Sequence, residues 1–413
     1  MIAPLGILLI CFAAWALSEN RADRPSWRWI LGAIGLQFVL AFLILRVPIL
    51  WDALGLANQA VIAVERATLV GSSYMFGYLG GGELPFALKE GAQPPVIIAF
   101  QILPLVIVFS ALSALLWHWG VLRAVVRGLS GALQKSLGVS GVVGLMGGAN
   151  LFLGGVEAPL AVRAYLAKVS RAELFSMMVL TMSTISGAIL VLYAQTLSSV
   201  VDNAVGHMIS ASLISLPAAL LLARLMVPGA QETAASDTSL EYTGAIDAII
   251  TGTMDGLKLF LAVIAVILTI FALVALADSV LAFLPEIAGE PITIRRAFGW
   301  LFAPIMWLIG VPWSEAQLAG QLMGTKAILN EYVAYLEVAD LGDDVLTGRA
   351  RLITIYALCG FANLASIGLL VSTISPLAPE RKAEVASVGV KRWIAGDGAS
   401  LMTGAVAGLV LYV

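Results

Sequence analysis

Two carboxylates stand out because of the sequence around them. Glu157 lies in the stretch from Asn150 to Leu160, Asn-Leu-Phe-Leu-Gly-Gly-Val-Glu-Ala-Pro-Leu, and Glu331 in the stretch from Gly324 to Tyr335, Gly-Thr-Lys-Ala-Ile-Leu-Asn-Glu-Tyr-Val-Ala-Tyr. Each is a polar, helix-interrupting island inside apolar sequence. A carboxylate at membrane depth costs about 2.5–3.5 kcal/mol on insertion scales, so something must offset it. One offset is a structural ion pair, for instance with Lys326. The other is a polar ligand or ion, because a helix break exposes N–H and carbonyl groups that such ligands need. Two carboxylates at matched positions favour the second.

Further groups fall into two sets. Asn150, Thr184 and the unwound carbonyls near Leu153 and Ile185 are oxygen donors of the kind a hard cation such as Na+ takes; Asn and Thr also serve helix–helix hydrogen bonds in membranes. Asn363 and Ser366 are three residues apart and are expected to share a helix face. With Glu331 they suit vicinal hydroxyls, since a carboxylate accepts while an amide and a hydroxyl both donate and accept. Phe361 is placed to stack on a planar ring. Catalytic chemistry is excluded on sequence. No nucleophile–base motif is present, His118, His207 and Asp397 are solitary, and no His, Cys and carboxylate cluster has metal-ligand spacing. Cys11 and Cys359 lie in apolar runs and suggest no disulfide framework.

The elements that must position these groups are membrane helices. Charged residues make up 12% of the chain and apolar ones 60%, against about 25% charged in soluble domains. Long apolar runs without strand-like alternation give an all-α integral membrane protein. Eight spans are expected, at 2–17 (retained, not cleaved), 29–45, 94–116, 173–197, 209–226, 255–283, 352–372 and 394–413. Residues 47–90 read as an amphipathic surface helix with a Gly-rich turn, and 121–137 as an interfacial helix. Residues 138–168 are broken at Gly147-Gly148 and at Gly154-Gly155 and have basic flanks on both sides, which predicts a re-entrant hairpin. A second mixed region, 285–335, ends in the second. Residues 228–247 form a polar linker, Asp340, Asp343 and Asp344 an acidic loop, and 379–393 a basic loop. Positive charge marks the cytoplasmic loops, which places both termini in the periplasm and opens the two hairpins to opposite faces. Each hairpin is followed by a span with a polar centre (183–187, then 361–366) and by another span. Such an inverted repeat binds substrate and ions near the midplane.

At these residues the chain resembles the concentrative nucleoside transporter family, over nearly its whole length. The family's first hairpin carries Gly-Gln-Thr-Glu-Ala-Pro-Leu, where this chain has Gly154-Gly155-Val156-Glu157-Ala158-Pro159-Leu160. The second carries Asn-Glu-Phe-Val-Ala-Tyr, here Asn330-Glu331-Tyr332-Val333-Ala334-Tyr335. The next span carries Gly-Phe-Ala-Asn-Phe-Ser-Ser-Ile-Gly, here Gly360-Phe361-Ala362-Asn363-Leu364-Ala365-Ser366-Ile367-Gly368.

The resemblance implies a Na+-coupled nucleoside symporter of the bacterial inner membrane, a homotrimer working by an elevator movement. It divides the chain into scaffold (1–120), transport (121–208), scaffold (209–285), transport (286–378) and a last span (379–413). It implies that Glu331, Asn363 and Ser366 hold the ribose, that Gly155, Val156, Glu157, Ile189 and Phe361 complete the substrate pocket, and that Asn150, the Leu153 carbonyl, the Thr184 hydroxyl and the Ile185 carbonyl take Na+. H+ is the alternative coupling ion. The departure is Gly155-Val156 in place of Gln-Thr. Without those groups the pocket is larger and discriminates bases weakly, so the expected ligand is a ribosyl compound whose base is bulkier, modified or less strictly read. A membrane-embedded enzyme and a passive channel are the other classes considered.

Overall fold

The computed structural model describes residues 2–89, 95–154, 157–235, 238, 240–287, 289–342 and 345–412, with only the backbone at 365. The expectations for Gly155 and Val156, for Asp343 and Asp344 and for the centre of the polar linker fall outside the described residues. Among those residues the chain is helical apart from turns and one isolated bridge between Ile287 and Glu290.

The first helices are α1 (Ala3–Ala16), α2 (Trp27–Arg46) and α3 (Pro48–Phe76). Ser26 caps α2 by accepting from the Trp29 N–H, and Pro48 starts α3 where its missing N–H is not needed. A kink at Leu103-Pro104 separates α4 (Ile98–Gln101) from α5 (Pro104–His118). α6 (Val121–Leu137) buries Leu122, Val126, Ser130, Leu133 and Leu137 at helical spacing and turns Arg127 outward, the pattern of an amphipathic helix. Gly138, with φ +61°, ends it.

Next come α7 (Gly141–Leu153), α8 (Ala158–Ala161), α9 (Arg171–Ser183), α10 (Gly187–Leu197), α11 (Ala204–Met226) and α12 (Ala245–Leu281). They are followed by α13 (Ile294–Leu308), α14 (Trp313–Ile328), α15 (Glu331–Asp340), α16 (Gly348–Leu358), α17 (Leu364–Ile374), α18 (Lys382–Ser387) and α19 (Gly389–Leu411). α13 and α14 meet at 120° across a break holding Gly310 (φ +113°) and Pro312.

The order from α5 to α11 is repeated from α12 to α19, apart from the short α18: an apolar helix, a helix of fifteen to seventeen residues, a helix pair, two half-helices and a closing helix. The two closing helices, α11 and α19, have 23 residues each and pack on each other, as do α5 and α12. Ser215 and Ser400 stand eleven residues after the first residue of α11 and α19, Ala204 and Gly389. Ser215 donates to the Ser183 carbonyl at 2.8 Å and Ser400 to the Cys359 carbonyl at 3.1 Å, each at the end of a first half-helix.

Among the described residues, six helices are long and apolar enough to cross a membrane: 27–46, 98–118, 171–197 taken through its break, 204–226, 245–281 and 389–411. α1 is shorter, and the segment expected at 352–372 is two halves of eleven residues each, α16 and α17.

Three local expectations are corrected. α7 runs unbroken through Gly147-Gly148; a Cβ on Gly148 would lie 3.0 Å from the Val126 carbonyl, so the glycines bring α7 close to α6 rather than break it. The basic stretch 379–393 is mostly helical, and Arg392 is buried in α19 with its guanidinium on the Val385 and Ile367 carbonyls. α12 starts at Ala245, ten residues before 255, where Asp247 accepts from the Thr243 N–H and hydroxyl.

A candidate substrate and ion site at two helix breaks

At the second break the half-helix α17 is started by its own capping groups. Asn363 is the N-cap of α17: its Oδ1 accepts from the Ser366 N–H at 2.8 Å, and the Ser366 hydroxyl accepts from the Asn363 N–H at 3.1 Å. This is a capping box. The two residues therefore do not share a mid-helix face, as their spacing had suggested, but form a reciprocal pair at a helix start. The amide Nδ2 of Asn363 is left to donate elsewhere, and it reaches Glu331 Oε2 at 3.0 Å.

Glu331 is the first residue of α15, after the N-cap Asn330, whose Oδ1 accepts from the Val333 N–H at 2.9 Å. A helix N-terminus favours a carboxylate there. The side chain is 1% exposed. Its Oε1 accepts from the Tyr193 hydroxyl at 2.5 Å. With about two lone-pair sites per oxygen, one fixed donor on each leaves room for two more, which suits a vicinal diol.

The ion-pair alternative for Glu331 does not hold. Lys326, fully buried, pairs instead with Asp397 at 2.8 Å and donates to the Ala357 carbonyl at 3.2 Å. Asp397, solitary in sequence, thus has a partner. His207 also has one, sharing a hydrogen bond with the Tyr356 hydroxyl at 2.9 Å.

The other break, Thr184 to Ser186, lies between α9 and α10. Asn150 on α7 donates to Thr184 Oγ1 at 2.6 Å, and that hydroxyl donates to the Leu180 carbonyl at 2.9 Å. The remaining amide oxygen, Asn150 Oδ1, is buried and accepts no hydrogen bond among the described residues. An orphaned buried acceptor calls for a partner. Beside it, Gly154 turns with φ +89° so close to Ser186 that an added Cβ would sit 2.6 Å from the Ser186 Cβ. This contact brings the buried Leu153 and Ile185 segments together. The oxygen set fits a hard cation.

Ile189 is buried one turn before Tyr193 on α10, hence on its face, and α10 packs on α15. Phe361 is half-buried within the second break. The Glu157 side chain is half-buried and makes no hydrogen bond or ion pair among the described residues; the charges around it are Asp255 and Lys258 of α12, themselves paired at 2.7 Å. The structure thus joins Glu331, Asn363 and Ser366 directly, joins Asn150 and Thr184 directly, and leaves Glu157 outside both networks.

Sequence reading missed Tyr193 and the Lys326–Asp397 pair. A phenol in the middle of an apolar helix needs a polar partner when buried, and that was the available signal for Tyr193.

Three family models tile the chain: the N-terminus of Na+-dependent nucleoside transporters over 5–79, a nucleoside recognition (Gate) model over 99–200, and the C-terminus of the same transporters over 207–408. The nucleoside permease NupC of Helicobacter pylori is 32% identical, covering 100% of this chain and 98% of its own. The chain belongs to the Na+-dependent, concentrative nucleoside transporter family. An uncharacterised transporter of Haemophilus influenzae is 36% identical over 98% of this chain and 97% of its own. Among solved structures, CNTnw in an inward-facing, substrate-bound state is 34% identical and superposes with a TM-score of 0.87 over 99% of this chain and 97% of that one. As a member of this family the chain is a membrane transporter rather than an enzyme.

Proposed function

We propose that the protein is a Na+-coupled nucleoside symporter in which Glu331, Asn363 and Ser366 take the ribose and Asn150, Thr184 and the carbonyls of Leu153 and Ile185 take the ion. The observation that carries this reading is the buried Glu331 carboxylate, fixed on one oxygen by Asn363 and on the other by Tyr193, at a helix start between two breaks. Na+ is the co-substrate, and the orphaned Asn150 oxygen supports its place.

Coupling follows from shared backbone. The ion's ligands Thr184 and Ile185 lead directly into α10, which carries Ile189 and the Tyr193 donor to Glu331. An ion that orders this break orders the substrate's acceptor, and the substrate raises ion affinity by the same factor. Phe361 stacks on the base, and Glu157 faces the ligand from the first hairpin. The Gly155-Val156 pair leaves the base edge without the amide and hydroxyl of the family motif, so base selectivity is broader or directed to a modified nucleoside.

The architecture we propose has eight spans and two opposed re-entrant hairpins, α7/α8 and α14/α15, in an inverted repeat. The matched element order and the paired roles of Ser215 and Ser400 support it. The hairpins, the broken spans and α19 form a carrier that moves by an elevator step against a frame of the remaining helices. α11 packs on α9 and α19 on one side and on α2 and α3 on the other, where the carrier meets the frame, and 209–285 stays with the frame in this reading. The apolar, outward surface of α12 fits lipid and neighbouring copies in a trimer. The membrane is the bacterial inner membrane, with both termini periplasmic.

The test is uptake of labelled uridine and adenosine into proteoliposomes under an imposed Na+ gradient. Saturable accumulation that collapses without the gradient is expected. Uptake driven by a pH gradient and indifferent to Na+ would sink the ion assignment, and flux without accumulation would indicate a passive channel.

A further inference from the structure

We propose that the Lys326 ammonium is a tethered cation, doing for the second half of the protein what the transported Na+ does for the first. The inference rests on the Na+-coupled reading above and adds a role for two residues outside the substrate and ion sets.

The two halves present the same construction with different charge. In the first, Asn150 near the end of α7 reaches across to Thr184, 34 residues on, at the end of half-helix α9. In the second, Lys326 near the end of α14 reaches Ala357, 31 residues on, near the end of half-helix α16. Both sites lie at the C-terminal end of a half-helix, where exposed carbonyls and the helix dipole favour positive charge. In the first half the reaching side chain is a neutral amide, and its oxygen is left buried without a donor. In the second half the reaching side chain is itself the positive charge, bonded to a carbonyl in the last turn of the half-helix, two residues before the Cys359 carbonyl that Ser400 bonds.

The closing spans complete the match. Ser215 and Ser400 are equivalent by position and bond equivalent half-helix ends. Three residues earlier on each stand Ser212 on α11 and Asp397 on α19. On α11 that position is a neutral serine, whose hydroxyl lies 3.9 Å from the Cys359 sulfur of the second break; on α19 it is a carboxylate. The second half pairs a fully buried ammonium with a largely buried carboxylate. A buried ammonium needs such a partner. With its own counter-ion in place, the second half has no vacancy for a soluble cation, and one Na+ per protomer accompanies each nucleoside.

The consequence can be measured directly. Equilibrium binding of radioactive Na+ to the purified full-length protein, at saturating nucleoside, is expected to give one site per protomer. Lys326→Met leaves Asp397 and the Ala357 carbonyl facing an emptied position, and is expected to bind a second Na+, with the slope of Na+-dependent nucleoside binding rising above one. The double variant Lys326→Met with Asp397→Asn removes the counter-charge and is expected to return to one site. A folded Lys326→Met protein that still binds a single Na+ with an unchanged midpoint overturns the proposal. Should that variant fail to fold, wild-type stoichiometry decides: one site per protomer upholds the proposal and two overturn it. A wild-type protein that binds nucleosides but no Na+ overturns the coupling reading itself, which is a distinct result.

Discussion

The Tyr193 hydroxyl and the Glu331 carboxylate meet at 2.5 Å across the contact between α10 and α15. The bond ties the first broken span, whose break is the candidate ion site, to the second helix pair, which carries the substrate acceptor. A hydrogen bond to a charged group contributes about 1.5–3 kcal/mol. Tyr193→Phe keeps the ring that stacks on Tyr332 at 5.8 Å and removes only the donor. Its nucleoside affinity should fall by about 10-fold or more, by calorimetric titration, and its melting temperature without ligand should also fall, because the buried carboxylate loses a donor. Glu331→Gln should weaken ribosides further still, by about 100-fold, because both acceptor oxygens are altered. Normal riboside binding by Glu331→Gln would refute the ribose assignment.

Asn150 supplies both an orphaned oxygen and a donor to Thr184. Asn150→Ala should raise the Na+ concentration for half-maximal thermal stabilisation by about 10-fold or more. At saturating Na+ the nucleoside affinity should recover, because the variant damages the ion site and reaches the substrate only through it. Loss of nucleoside affinity at every Na+ concentration would place Asn150 in the substrate pocket instead.

Legibility in the sequence followed cost. Glu331 and Asn363 were readable because a carboxylate and an amide inside hydrocarbon-like sequence demand a reason. Tyr193 was not, since a tyrosine adds little polar signal to an apolar run until its partner is known. Lys326 and Asp397 were each visible, but their pairing joins α14 to α19 and depends on how the halves fold back on one another. Glycine pairs were ambiguous for a physical reason. At Gly154 the missing Cβ permits a positive φ and a break, whereas at Gly147-Gly148 it permits close helix packing, and sequence alone does not separate these uses. The helical repeat was legible as an order of elements; the serine bonds that make it a structural match were not.

Gly154 permits one more test of that distinction. Its φ of +89° and the Ser186 Cβ 2.6 Å from an added methyl leave no room for a side chain. Gly154→Ala should lower stability by about 1–3 kcal/mol, seen as a lower melting temperature in detergent. It should also weaken Na+ stabilisation, because it pushes the Leu153 segment away from the break. A melting temperature and Na+ response like wild type would show that this contact does not hold the site.

Glu19, in the loop after α1, accepts from Arg171 at 2.8 Å and from Lys391 at 3.2 Å, joining the loop to the starts of α9 and α19. These bonds, Arg171 first, hold its carboxyl down at about 2. An unfolded glutamate titrates near about 4.3. The folded value is depressed, so the stabilisation is complete above the unfolded value and is lost as pH falls toward about 2. Glu19→Gln should therefore melt lower than wild type near neutral pH, with the gap narrowing below about pH 4. A gap constant with pH would show that the carboxylate charge is not what holds the loop.

The Gly155-Val156 pair is where this chain leaves the family motif. Gly155→Gln with Val156→Thr restores an amide and a hydroxyl beside Glu157. Each neutral hydrogen bond to the base edge is worth about 1 kcal/mol, so the two together should sharpen discrimination by about 10–30-fold. The measurement is competition of labelled uridine uptake by a panel of nucleosides in proteoliposomes. In the wild-type protein the panel should compete over a narrow range of concentrations. In the double variant the spread should widen, with nucleosides that offer a matching donor and acceptor edge gaining most. The total affinity for ribose itself should not move, since Glu331, Asn363 and Ser366 are untouched. An unchanged ranking in the double variant would mean that base preference is set elsewhere in the pocket, with Phe361 and Ile189 the next positions to vary.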